Sequence, residues 1–142
     1  MNVRAPTTTK ANIMRHLREG SFLLTILFLG TLVTMKNSGH PLPIGIIAKL
    51  PHFDKFGHFI LLGGLSFISV LTISPYFKSS ARKATFKITT VILVIITIEE
   101  LSQAFIPTRT LSLADYLSGV AGVLLAAYLA HKKSDTPKSV AL

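Results

Sequence analysis

Cysteine is absent from the 142 residues, so no disulfide staples this chain and no thiolate does its chemistry. Charge is scarce as well: Asp, Glu, Lys and Arg make up 15% of the chain, against 49% hydrophobic residues. A soluble domain of this length carries more charge and scatters its apolar residues with helix or strand periodicity. Here they gather into four blocks, separated by polar segments that contain Pro and Lys. That is the pattern of transmembrane helices in one bundle, with no second domain. Carboxylates are scarcer than cations, six against fifteen, for a net charge of +9. Such an excess suits nucleic acid, but no basic run is interleaved with aromatics. The cations instead sit at the ends of the apolar blocks. There Lys and Arg hold loops on the cytoplasmic side and meet anionic lipid heads.

The N-terminal segment 1–20 is polar and basic, with Arg4, Lys10, Arg15 and Arg18, and reads as a cytoplasmic tail. Pro6 and Thr7-Thr8-Thr9 argue for a loose start, and the residues from Arg15 to Gly20 lead into a helix. The first span is expected at about 21–36. A basic start and an apolar block also fit a signal peptide, but no A-x-A-like cleavage site follows and three more spans do. The following loop holds Pro41, Pro43 and Pro51, which forbid continuous helix. Within it, Pro43 to Leu50 is apolar but too short to cross, so it suits the interface. The second span is expected at about 56–74, with Gly63-Gly64 placed for close helix packing. A basic connector follows, with Lys78, Arg82, Lys83 and Lys87. The third span is expected at about 86–106. Pro107 to Thr110 makes a turn, and the fourth span is expected at about 111–130. In that span Ser112, Asp115, Ser118, Gly119, Gly122 and Ala126 form a small, polar stripe for another helix to pack on. The tail 131–142 reads as basic and disordered.

The expected fold is therefore all-α, a four-transmembrane-helix bundle with both termini cytoplasmic. Eleven of the fifteen Lys and Arg fall in the two tails and the 75–87 connector, which share one side. The other four lie on the opposite side, so the first loop and the Pro107–Thr110 turn face outward.

Against this apolar background, Glu99, Glu100 and Gln103 near the end of the third span are costly. The topology brings company for them. Asp54, Lys55 and His58 open the second span, Arg109 lies in the turn, and Asp115 starts the fourth. All fall at the outer end of the bundle. Asp54 and His58 share a helix face, as do Glu100 and Gln103; Glu99 and Glu100 lie about 100° apart, so one of them points inward. Each residue alone has a plainer role. Asp54 and Lys55 would make an interfacial pair, His58 a packing residue, the two Glu a helix-packing knot, Arg109 a neutralising partner, and Asp115 an acid favoured by the helix dipole. Their convergence at one face, while the helix middles hold almost none, marks a site.

The ordered set Asp54-Lys55-x-x-His58-Phe59, Glu100-x-x-Gln103-x-Phe105-x-Pro107-x-Arg109, and Asp115 followed by Gly122 resembles the VanZ-like family of small bacterial membrane proteins. The resemblance covers the second to fourth spans. It implies a place in the bacterial cytoplasmic membrane and a cell-envelope context, including glycopeptide susceptibility, rather than a defined reaction. The family often carries Asn four residues after the Asp. Here that position is Gly119, with Ser118 beside it as a replacement hydrogen-bonding group.

Two functions are weighed. In the first, the protein works on envelope lipids or headgroups at the outer interface. Glu100 would be base or metal ligand with His58 and Asp115 beside it, for proton transfer. Asp54, Lys55, Gln103 and Arg109 would bind substrate, with Lys55 and Arg109 clamping an anionic lipid headgroup or a lipid-linked envelope precursor. Asp, Glu and His are also ligand types for a divalent cation, although no H-E-x-x-H spacing marks one. Ser102, Ser112 and Ser118 lack a clear triad. In the second, the same groups bind a lipid, a glycopeptide or a partner membrane protein without turnover, or form a purely structural network. A transporter fits less well, since no repeat is evident and the polar groups sit at one end.

Overall fold

A computed structural model describes residues 7–38, 52–107 and 109–135. Helices account for nearly all of these residues, and there is no strand among them. The elements are α1 (Thr7–Asn37), α2 (Phe53–Ile73), α3 (Ala81–Ser102) and α4 (Leu113–Asp135). Short 3-10 turns, Ser74–Tyr76 and Gln103–Phe105, follow α2 and α3. Each long helix, taken with the 3-10 turn that follows it in the case of α2 and α3, provides a stretch of 22 to 25 residues apolar enough to cross a membrane. About 20 residues suffice for a hydrocarbon core. The chain is a multi-pass helical membrane protein.

Local chemistry sets the helix ends. His52 takes φ 63° where the chain turns into α2, and Asp54 lies in the first turn, where a carboxylate complements the helix dipole. Pro75 stops α2, because it lacks the N–H the next turn needs. Ser112 caps α4: its hydroxyl accepts from the Asp115 N–H at 3.3 Å, and its carbonyl accepts from Asp115 and Tyr116. Lys132 and Lys133 occupy the last turn of α4, the favourable end for cations.

Several boundaries differ from expectation. α1 is helical from Thr7, so most of the expected tail 1–20 is helix, and the apolar stretch begins at Asn12. Nothing between Thr7 and Ser21 breaks a helix, and Arg and Lys are good helix formers. α4 likewise runs through His131 to Asp135, into the expected disordered tail. The Pro41–Pro51 loop, with its apolar interfacial segment, lies outside the described residues.

The organising contact is between α2 and α4, which run parallel. Lys55 meets Ser118, Phe59 meets Gly122, and Ser66 meets Val123. This is the small-residue stripe in use. A methyl built on Gly122 would run into the Phe59 carbonyl, and one on Gly63 would lie 3.1 Å from the Gly122 carbonyl oxygen. Backbones approach this closely only where side chains are missing, and in lipid such packing, with interhelical hydrogen bonds, replaces the hydrophobic drive. Gly64 faces open space, so only Gly63 of the pair serves the contact. The Ser66 hydroxyl donates to the Val123 carbonyl at 3.0 Å inside this seam.

α3 packs antiparallel to α4. Val70, Ile88, Ile92, Ile96, Val123, Ala127 and Ala130 form the core. Thr97 and Tyr116 hydroxyls meet at 2.9 Å across α3 and α4. α1 is peripheral and leans on α2. Among the described residues, its polar ties lie toward its basic end: Arg18 donates to the Leu71 carbonyl at 3.2 Å, Thr72 donates to the Arg18 carbonyl at 3.3 Å, and the Tyr76 hydroxyl donates to Glu19. Farther along, Leu23, Leu24, Leu27 and Phe28 are exposed, as lipid-facing residues are.

Candidate functional site

The alternating helices gather the sequence-predicted residues at one end, where α2 and α4 begin and α3 finishes. They form three polar contacts there rather than one. Glu100 and Gln103 are the inward pair, only 6% and 3% exposed. Glu100 Oε1 accepts from the Ser112 backbone N–H at 2.9 Å, and Oε2 accepts from Gln103 Nε2 at 3.2 Å. Glu100 thus ties the end of α3 to the start of α4. Gln103 also donates to Glu99 Oε2 at 3.0 Å. Glu99 is less buried and turns its other oxygen to Arg109 Nη2 at 3.5 Å. Arg109 is 9% exposed, which makes it a buried cation of the turn rather than a snorkelling one.

The second contact joins α2 to α4. Lys55 Nζ stands 3.8 Å from Asp115 Oδ1, a charge pair without a hydrogen bond, since Oδ1 has no hydrogen-bond partner. Ser118 donates to the Lys55 carbonyl at 2.6 Å. Ser118 therefore spends its hydroxyl on helix packing.

The third contact lies on α2 alone. His58 Nδ1 is 2.7 Å from the Asp54 carbonyl oxygen. A carbonyl only accepts, so Nδ1 carries the proton in that bond and Nε2 is the ring's acceptor. No hydrogen bond or ion pair among the described residues joins Glu100 to His58 or Asp115. The three residues expected to do chemistry together sit in three separate contacts.

Beside these contacts runs a groove of about 450 Å³ that the sequence does not announce. One wall is α1, with Phe28, Leu29, Leu32 and Val33; the other is α2, with Phe56, Ile60 and Leu61. Asp54, His58, Glu99 and Arg109 border the same groove. It is apolar along the helices and polar where those four residues stand. A volume of this size accommodates a small ligand or part of a lipid chain. No periodicity in α1 marks its groove-facing residues, because the helix is apolar on most sides.

Among the described residues, no three His, Asp or Glu side chains converge to hold a metal ion. The divalent cation thus stays an expectation of residue type alone. No family model matches the chain, and neither a curated protein nor a solved structure matches it. The resemblance to the VanZ-like family rests on the ordered residues themselves.

Proposed function

We propose that the protein binds an amphipathic envelope lipid, or a lipid-linked envelope precursor, at the outer face of a bacterial cytoplasmic membrane. The observation that carries this reading is the groove between α1 and α2, apolar along its length and ending at Asp54, His58, Glu99 and Arg109. The apolar part suits an acyl or prenyl chain. The polar end carries both signs, so it suits a headgroup offering an acceptor to Arg109 and a donor to Asp54 or Glu99. Glu100 is the brace of this arrangement rather than its reactive group, because both of its oxygens are spent on Ser112 and Gln103. The VanZ-like resemblance supports the envelope setting.

Filling the groove tests the reading. Leu61→Trp should lower lipid retained through purification by about tenfold or more, read by mass spectrometry of extracts. Leu24→Trp, on the exposed side of α1, should leave it unchanged. Equal lipid content in the two variants, both folded, overturns the reading. The orientation has its own test, made simple by the lack of native cysteine. A cysteine at exposed Ser38 should react with an impermeant thiol reagent from outside, and one at Ser80 should not.

A second reading, turnover of the bound ligand, is favoured by His58. Its Nδ1 proton is committed to a backbone carbonyl and its side chain borders the groove, which is how a positioned general base is oriented. His58→Gln should keep lipid retention and abolish conversion; retention and conversion that both persist remove this reading.

A further inference from the structure

The opposite end of the bundle holds a second opening, of about 690 Å³, between the start of α3 and the end of α4. Arg82, Lys83 and Lys87 border it from α3, and His131 borders it from α4. The Lys87 ammonium also stands 5.8 Å from the Phe77 ring centre, which places it beside an aromatic face. No ion pair to Arg82, Lys83 or Lys87 exists among the described residues. The first turn of α3 has no acidic residue, and Ser80 at its N-cap makes no side-chain hydrogen bond to it. The positive end of the helix dipole adds to the side-chain charge there.

A second, independent observation concerns hydroxyls. Threonine in a helix ordinarily donates to the carbonyl four residues back, as Thr25, Thr31, Thr34, Thr90 and Thr97 do here. Thr85 and Thr89 do not. Both line the opening, both are more than nine-tenths buried, and neither hydroxyl has a hydrogen-bond partner. The hydroxyl oxygen of Ser79, one residue before Ser80 of the lining, is also buried without a hydrogen-bond partner. Buried donors without acceptors are costly, so an acceptor-rich visitor is favoured here. Phe86 and Tyr128 flank the opening and are 72% and 62% exposed, which gives it an apolar, aromatic border on the lipid side.

We propose that this opening binds the phosphate headgroup of an anionic membrane phospholipid. Arg82, Lys83 and Lys87 supply the charge, Thr85 and Thr89 bring unpartnered buried hydroxyls to its lining, and the acyl chains lie along Phe86 and Tyr128. Basic pockets between transmembrane helices recognise acidic lipid heads by this combination. The aromatic border selects a lipid over free phosphate, because it rewards a ligand that has chains. The proposal is independent of the α1–α2 groove at the other end.

The test is a titration of the detergent-purified full chain with phosphatidylglycerol, phosphatidylcholine and inorganic phosphate, read by native mass spectrometry. Phosphatidylglycerol should bind in preference to phosphatidylcholine, and inorganic phosphate should not displace it. Arg82→Gln with Lys83→Gln should weaken binding by roughly thirty-fold. Lys78→Gln, an exposed cation at the same end but outside the opening, should have little effect. Thr89→Val, nearly the same shape, should weaken binding several-fold, and it decides the matter should the double variant fail to fold. Equal loss in the Lys78 variant would reduce the effect to diffuse surface charge and overturn the proposal. So would equal binding of phosphatidylcholine, or displacement by inorganic phosphate.

Discussion

The two ends of this bundle are built from opposite materials. Four of the six carboxylates, Asp54, Glu99, Glu100 and Asp115, lie at the end where α2 and α4 begin, beside Lys55 and Arg109. Among the described residues, nine cations belong to the other end, from Lys10, Arg15 and Arg18 on α1 to Lys132 and Lys133 on α4, with Glu19 and Asp135 as the acidic residues there. At the acidic end, the Glu100 and Arg109 side chains are buried and tie neighbouring segments together, while Asp54 and Lys55 keep exposed surface. At the basic end, charge is mostly exposed and faces outward. Buried charge has to be paired or hydrogen-bonded, so it is spent on structure. Exposed charge costs little to keep and stays available to lipids and solvent. Polar groups at one membrane face are thus not by themselves a measure of reactivity: Glu100, the most conspicuous of them, is the most fully committed.

Four substitutions test that contrast, in falling order of effect. Gly122→Ala acts on the seam that both ends share. Its methyl meets the Phe59 carbonyl, so α2 and α4 must part, and overpacking against backbone should cost about 3 kcal/mol, at the upper end of the usual range. Thermal unfolding in detergent should show a large drop, while Gly64→Ala, into open space, should show none. Identical melting of the two would mean that no common seam holds the ends.

Glu100→Ala should come next. It leaves the Ser112 N–H without its carboxylate and Gln103 without one of its acceptors, at about 2 kcal/mol. Glu100→Gln keeps one acceptor oxygen and should lose less. A cysteine at exposed Thr110 should label faster in the Ala variant, since the turn it sits in is then untied. Labelling at the wild-type rate would remove Glu100 as the brace.

Ser66→Ala is smaller. It deletes a single donor in the seam and should cost about 1 kcal/mol. The smallest effect belongs to Tyr76→Phe, which loses the exposed hydrogen bond to Glu19 at the basic end. Exposed charged contacts contribute little, so the melting temperature should not move measurably. A fall as large as that of Glu100→Ala would erase the distinction between structural charge at one end and available charge at the other.

Much of this architecture is legible in the sequence. Four apolar runs announce four helices, and the cation count along the chain distinguishes the two ends. The stripe Ser118, Gly119, Gly122 predicts a helix seam, because small residues at three- and four-residue spacing have few other uses in lipid. The 100° separation of Glu99 and Glu100 implies one inward carboxylate, and burial assigns that place to Glu100. Other features depend on distances that no linear pattern carries. The division of the site into three contacts depends on which face of α2 meets α4. Ser118 reads as a stand-in for an amide, yet its hydroxyl is spent on the Lys55 carbonyl. The helical start of α1 was hidden by its charge, since polarity stops a hydropathy window without stopping a helix. The groove was hidden for the converse reason: its walls are leucine, phenylalanine and valine, indistinguishable in sequence from residues that face lipid.

The uneven attachment of α1 has a mechanical consequence. Its polar ties, at Arg18 and Glu19, are clustered, while its groove wall centres on Leu29 and Leu32. At about 1.5 Å of rise per residue, Leu32 lies roughly 20 Å along the axis from that clamp. A tilt of the helix about that clamp, near one membrane surface, would move a cavity wall near the other. A tilt of roughly 5° about the pivot displaces Leu32 by nearly 2 Å, about the difference between a slot that grips a hydrocarbon chain and one that releases it. Bilayer thickness acts on helix tilt, so a membrane change that tilted α1 would change the width of the groove.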